Sequence, residues 1–97
     1  MRISPDTQKI IKNHFKHLFE GDIYLFGSRV DDTKKGGDID LYITLGESLS
    51  AEDIFERKLK LLSLLQTALG EQKIDIIVSK DKSRLIEQEA IKHGVKL

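Results

Sequence analysis

Three aspartates set the first chemical question. Asp38 and Asp40 stand two apart in D-I-D-L-Y-I-T-L, and Asp75 stands alone in K-I-D-I-I-V. Side chains at i and i+2 of a strand share a face, so Asp38 and Asp40 would carry their carboxylates on Cα atoms ~6.7 Å apart. That spacing suits one shared cation, or two cations ~4 Å apart. A bare D-x-D is also what a solvent-facing strand looks like. Asp75 narrows the choice, because aspartate is disfavoured in strands and here it occurs three times in two of them. If the two strands are neighbours, three carboxylates crowd one patch and need a compensating charge. A hard divalent ion with oxygen ligands, Mg²⁺ first, is the natural one.

The Gly27-Ser28 pair adds a second kind of chemistry. It follows the β-rich run D-I-Y-L-F directly, where a chain leaving a sheet can turn its N–H groups toward an anion. Glycine permits close approach to a phosphate, and the serine hydroxyl is a further donor. Arg29 is placed to contact the same phosphate or to remain solvated. His14 and His17, three apart on one helix, have no third ligand in view and read as exposed helix residues. Lys58 and Lys60, like Lys80 and Lys82, read as solvated faces.

These residues need elements to hold them. Ser4-Pro5 opens a helix with a side-chain cap and a harmless missing N–H, and Ile10, Ile11, Phe15, Leu18 and Phe19 continue it toward Gly21. Asp22–Phe26 is a short strand, and residues 28–37 form a polar loop containing Gly36-Gly37. Asp38–Leu45 alternates strictly, with Ile39, Leu41, Ile43 and Leu45 on one face and Asp38, Asp40, Tyr42 and Thr44 on the other. Ser50 and Asp53 resemble a capping box ahead of a helix through Ile54, Leu61, Leu62, Leu65 and Leu69 to Gly70. Lys73–Val78 is a third strand, with Asp75 opposite Ile74, Ile76 and Val78. A last helix is expected around residues 82–93, with His93 in its final turn and Gly94 as its cap. The order α-β-β-α-β-α describes an α/β (α+β) domain, a small mixed sheet packed against helices.

The chain of 97 residues has room for one core, so residues 1–97 read as a single domain. With no cysteine, disulfides, thiolate metal sites and cysteine nucleophiles are excluded. Sixteen basic and sixteen acidic residues cancel, which disfavours nucleic acid as a partner and favours a small anion or a protein. No apolar run reaches the ~20 residues of a membrane span, and Met1–Pro5 lacks a signal-peptide stretch, so a cytoplasmic location is expected.

Taken together, F-G-S, nine intervening residues (29 to 37), D-I-D-L-Y-I and the later K-I-D-I-I-V resemble the nucleotidyltransferase superfamily of the DNA polymerase β type. The ending I-K-H-G-V-K-L extends the likeness to its small stand-alone minimal nucleotidyltransferase (MNT) proteins. The resemblance implies a nucleotidyltransferase fold in which Gly27 and Ser28, with Arg29, hold the triphosphate of ATP. It implies that Asp38 and Asp40 coordinate two Mg²⁺ ions. Asp75 then completes the metal site and helps deprotonate an attacking hydroxyl. Many relatives carry a second basic residue soon after G-S-R, where this chain has Asp31-Asp32 and only later Lys34 and Lys35. Stand-alone MNT proteins commonly act as antitoxins of HEPN-domain ribonuclease toxins, placing AMP on a toxin tyrosine. The resemblance therefore implies an adenylyltransferase antitoxin. The alternatives are a non-catalytic antitoxin that neutralises its partner by complex formation, and a small-molecule nucleotidyltransferase. Oligomeric state stays open, a homo-oligomer included.

Overall fold

The computed structural model describes residues 3–26, 39–70, 73–79, 92 and 94–97. Helix α1 (Pro5–Leu18) starts where Ser4 caps it, its side chain accepting the Thr7 N–H at 3.1 Å. Asp6 in the first turn and Lys16 and His17 in the last complement the helix dipole. Phe19 closes α1 through its N–H to the Phe15 carbonyl, and its ring stacks on Phe15 with centroids 5.8 Å apart.

Strand β1 (Gly21–Phe26) begins two residues later. Gly21 is thus the first residue of a strand and not the end of the helix. Its φ of 144° and the Thr44 carbonyl, into which a Cβ would collide, both require glycine. Strand β2 (Ile39–Leu45) pairs antiparallel with β1, from Gly21 opposite Leu45 to Phe26 opposite Asp40. Helix α2 (Ala51–Leu69) is capped by Ser50, which accepts the Asp53 N–H at 3.1 Å, and ends at Gly70 with φ 84°. It carries the chain across to β3 (Ile74–Val78), parallel to β2, as a parallel connection requires.

A short β4 (Val95–Lys96) adds an element that periodicity does not announce. It pairs with β1 on the side away from β2, giving the order β3-β2-β1-β4. The Leu97 N–H to the Ile23 carbonyl and the Lys96–Asp22 ion pair at 3.2 Å hold it there. The polar loop 28–37 and the helix expected at 82–93 lie outside the described residues, except that Lys92 is helical.

One face of the sheet is sealed. Ile23, Leu25, Ile39, Leu41, Ile43, Ile74, Ile76 and Val78 pack with Ile11, Phe15, Leu61 and Leu65 of the two helices. Each such side chain, fully buried, contributes about 1.5–3 kcal/mol. At one end of this layer Arg57 of α2 donates to the Leu18 carbonyl at 3.0 Å and lies 3.7 Å from Glu47, whose other oxygen accepts the Glu20 N–H at 2.7 Å. That network ties the end of α1 to the β2–α2 connection.

Candidate functional site

The opposite face of the sheet is built in rows. The in-register pairs place Phe26, Asp40 and Asp75 in one row across β1, β2 and β3, and Tyr24, Tyr42 and Ile77 in the next. Asp40 and Asp75 are therefore lateral neighbours on parallel strands, on backbones about 4.8 Å apart. Both alternate with buried core residues, Ile39 and Leu41 around Asp40 and Ile74 and Ile76 around Asp75. The burial of those neighbours sends both carboxylates to the same, opposite face. Asp75 is exposed and Asp40 half-buried. The condition for crowding, that the strand of Asp75 neighbour the D-x-D strand, is met: β3 lies beside β2.

The other expected site residues, Gly27, Ser28, Arg29 and Asp38, lie outside the described residues. In sequence, Gly27 directly follows Phe26 and Asp38 directly precedes Ile39. Among the described residues no group of three or more potential metal ligands forms; Asp38 is not one of those residues.

The acid-bearing face is not simply a solvated one. Tyr42, expected beside Asp40 on the polar face, is 0% exposed and packs with Phe26, Tyr24 and Ile77. The rings of Tyr24 and Tyr42 lie 6.2 Å apart at 46°. The row behind the carboxylates is thus an apolar floor that fixes the strands carrying them. Two tyrosines and a phenylalanine on a nominally polar face were the available signal for it.

Lys58 also departs from expectation. Read as solvated, it is half-buried and lines a groove of about 620 Å³ with Phe26, Asp40, Phe55, Leu59, Leu62 and residues 74–77. Spacing along the sequence gives no hint of this, because α2 and β3 meet only in the fold. His17 is exposed and hydrogen-bonds through Nδ1 with the Asn13 carbonyl at 2.7 Å, a local helix contact.

Comparison with known proteins gives the lineage of this arrangement. Curated protein sequences return no match. Among solved structures, a toxin–antitoxin crystal structure with AMP-PNP is 25% identical, with a TM-score of 0.65 over 94% of this chain and 71% of that one. A tri-AMPylated Shewanella oneidensis HEPN toxin in complex with MNT antitoxin is also 25% identical, with a TM-score of 0.62 over 94% of this chain and 67% of that one. The toxin–antitoxin MntA–HepT shares the fold at 19% identity, with a TM-score of 0.62 over 96% and 70% of the two chains. The family model described as polymerase beta, nucleotidyltransferase, matches residues 7–97. From the first helix to the last strand, this chain belongs to the polymerase-β-type nucleotidyltransferase family.

Proposed function

We propose that this chain is an adenylyltransferase antitoxin that moves AMP from ATP onto a tyrosine hydroxyl of a HEPN-domain toxin. The observation that carries the reading is the in-register pair Asp40–Asp75 on one face of the sheet, in a row with Phe26, which Gly27-Ser28 follow in sequence. Membership of a nucleotidyltransferase family supports the reaction class, and the toxin–antitoxin neighbours support the choice of acceptor.

The donor set fits Mg²⁺: two hard carboxylates face the same way from adjacent strands, with Asp38 two residues before Asp40 as the third. Asp38 and Asp40 would hold the two ions, and Asp75 completes the set. When bound, Mg²⁺ supplies positive charge against the triphosphate. The chain's own groups do the rest. Gly27 and Ser28 hold phosphate oxygens through N–H and hydroxyl donors, with Arg29 beside them. Asp75, exposed on the edge strand, accepts the proton of the tyrosine hydroxyl. The freed oxygen forms a bond to the α-phosphorus as the bond to the bridging β-phosphate oxygen breaks. Pyrophosphate leaves with that electron pair, and the proton on Asp75 passes to solvent.

Incubation of the full chain with ATP, Mg²⁺ and a HEPN-domain toxin, followed by intact-mass measurement, tests the proposal. The toxin should gain the mass of one or more AMP groups, located on tyrosine by peptide mapping. An unmodified toxin under those conditions overturns the proposal.

A further inference from the structure

The groove beside the acidic row continues along the edge of β3 that pairs with no described strand. One stretch is lined by Phe55, Lys58, Leu59 and Leu62 of α2 against residues 74–77, and the next by Ile54, Phe55 and Lys58 against residues 76–78. Each stretch measures about 620 Å³, and Phe55, Lys58, Ile76 and Ile77 line both. Phe55 is 61% exposed and Leu59 48%, one turn apart on the same flank of α2. Exposed apolar side chains that adjoin one another, rather than standing singly, are a feature of contact surfaces.

The edge strand supplies a second feature. The Ile39 N–H bonds to the Lys73 carbonyl at 3.0 Å and the Ser79 N–H to the Ile43 carbonyl at 2.8 Å, which fixes the odd-numbered residues as those facing β2. In a parallel ladder the alternate residues then direct their N–H and C=O groups outward. Those of Ile74, Ile76 and Val78 point into the groove, and among the described residues no strand pairs with them.

The geometry points to this groove as the docking site for the acceptor: an extended segment of a partner protein that adds along β3 and brings a tyrosine to Asp75. The inference rests on the transfer to a protein hydroxyl proposed above. Three observations select this occupant. Asp40 and Asp75 form part of the groove wall, so a segment seated there meets the carboxylate that takes its proton. The outward backbone groups of β3 match an extended chain, which gains main-chain hydrogen bonds while its alternate side chains enter the groove. Lys58 lies midway, lining both stretches, and calls for a carboxylate on the segment beside apolar residues that cover Phe55 and Leu59.

Affinity of the full chain for a HEPN-domain toxin, measured by calorimetry without nucleotide, tests the groove apart from turnover. Phe55→Glu and Leu59→Glu should each weaken toxin binding by about tenfold or more, because both change side chains central to the contact. Lys58→Glu should weaken it as well, and Lys58→Arg should retain it. Leu64→Glu makes the same change at another exposed apolar residue of α2 outside the groove and should leave affinity unchanged. Thermal melts of all variants, and ATP affinity of the Phe55, Leu59 and Leu64 variants, should match the parent. No toxin binding by the parent chain, binding untouched by the groove variants, or an equal loss in Leu64→Glu would overturn the inference. Groove-dependent binding without AMP transfer would instead leave the docking site standing and remove the proposed reaction.

Discussion

The two faces of one sheet use the same strands for opposite purposes. On β2, Ile39, Leu41 and Ile43 are almost wholly buried beneath the helices, while Asp40 between them is half-buried on the other side. On β3, Ile74, Ile76 and Val78 are buried and Asp75 is exposed. The aliphatic face is chosen for packing: among the described residues its core is all apolar, and any of several apolar residues would serve. The acid face is chosen against local preference, with like charges set side by side where a strand would rather carry β-branched residues. The period of two lets one strand satisfy both demands, so a site can be chemically unfavourable without loosening the frame that holds it.

Substitutions separate the faces. The largest effect on transfer is expected from Asp40→Asn, which should reduce it to background, measured as AMP incorporation per unit time. Unchanged incorporation would mean that the acid row is only a strand surface. Asp75→Asn should lower turnover by about 10²–10⁴-fold, the usual contribution of a positioned proton acceptor. ATP affinity should change little, since the proton is lost only in the chemical step. On the other face, Leu61→Ala should cost about 2–5 kcal/mol of stability while the folded fraction keeps its activity. Denaturant unfolding alongside initial rates measures both. Ser28→Ala should weaken ATP binding by about 1.5–3 kcal/mol, the value of a hydrogen bond to a charged group, with no early melting. The smallest effect sharpens the contrast. In the absence of Mg²⁺, Asp75→Asn should leave stability within about 0.5 kcal/mol of the parent, because Asp75 is exposed and its loss opens no cavity.

Most of this frame was legible because it rests on local rules. Ser4 and Ser50 cap α1 and α2 where a small polar side chain precedes a periodic apolar stretch. The strict alternation from Ile39 to Leu45 and the Ile74, Ile76, Val78 set identified the core face before any fold was known. Two kinds of feature escaped. Strand β4 is two residues long and exists only through its pairing with β1, so no periodicity of its own could announce it. Gly21 looked like a helix terminator, yet its conformation is demanded by Thr44 of the neighbouring strand, a contact between residues 23 positions apart. For the candidate site, residue type and alternation put Asp40 and Asp75 on one face of their strands, and the sheet sets them in register. Lys58 and the groove were not legible, because α2 meets β3 only after the chain folds back.

The claim that nucleotide and metal gather at the acidic end of the sheet can be tested without turnover. Mn²⁺ in place of Mg²⁺, added with a non-hydrolysable ATP analogue to the isotopically labelled chain, broadens the NMR signals of nearby amides. Broadening should be strongest at Phe26, Asp40 and Asp75 and weak at Leu45 and Gly46, about 16 Å or more further along the strand. Strongest broadening around Glu20, Glu47 and Leu45, or uniform weak broadening across both ends, would contradict the account.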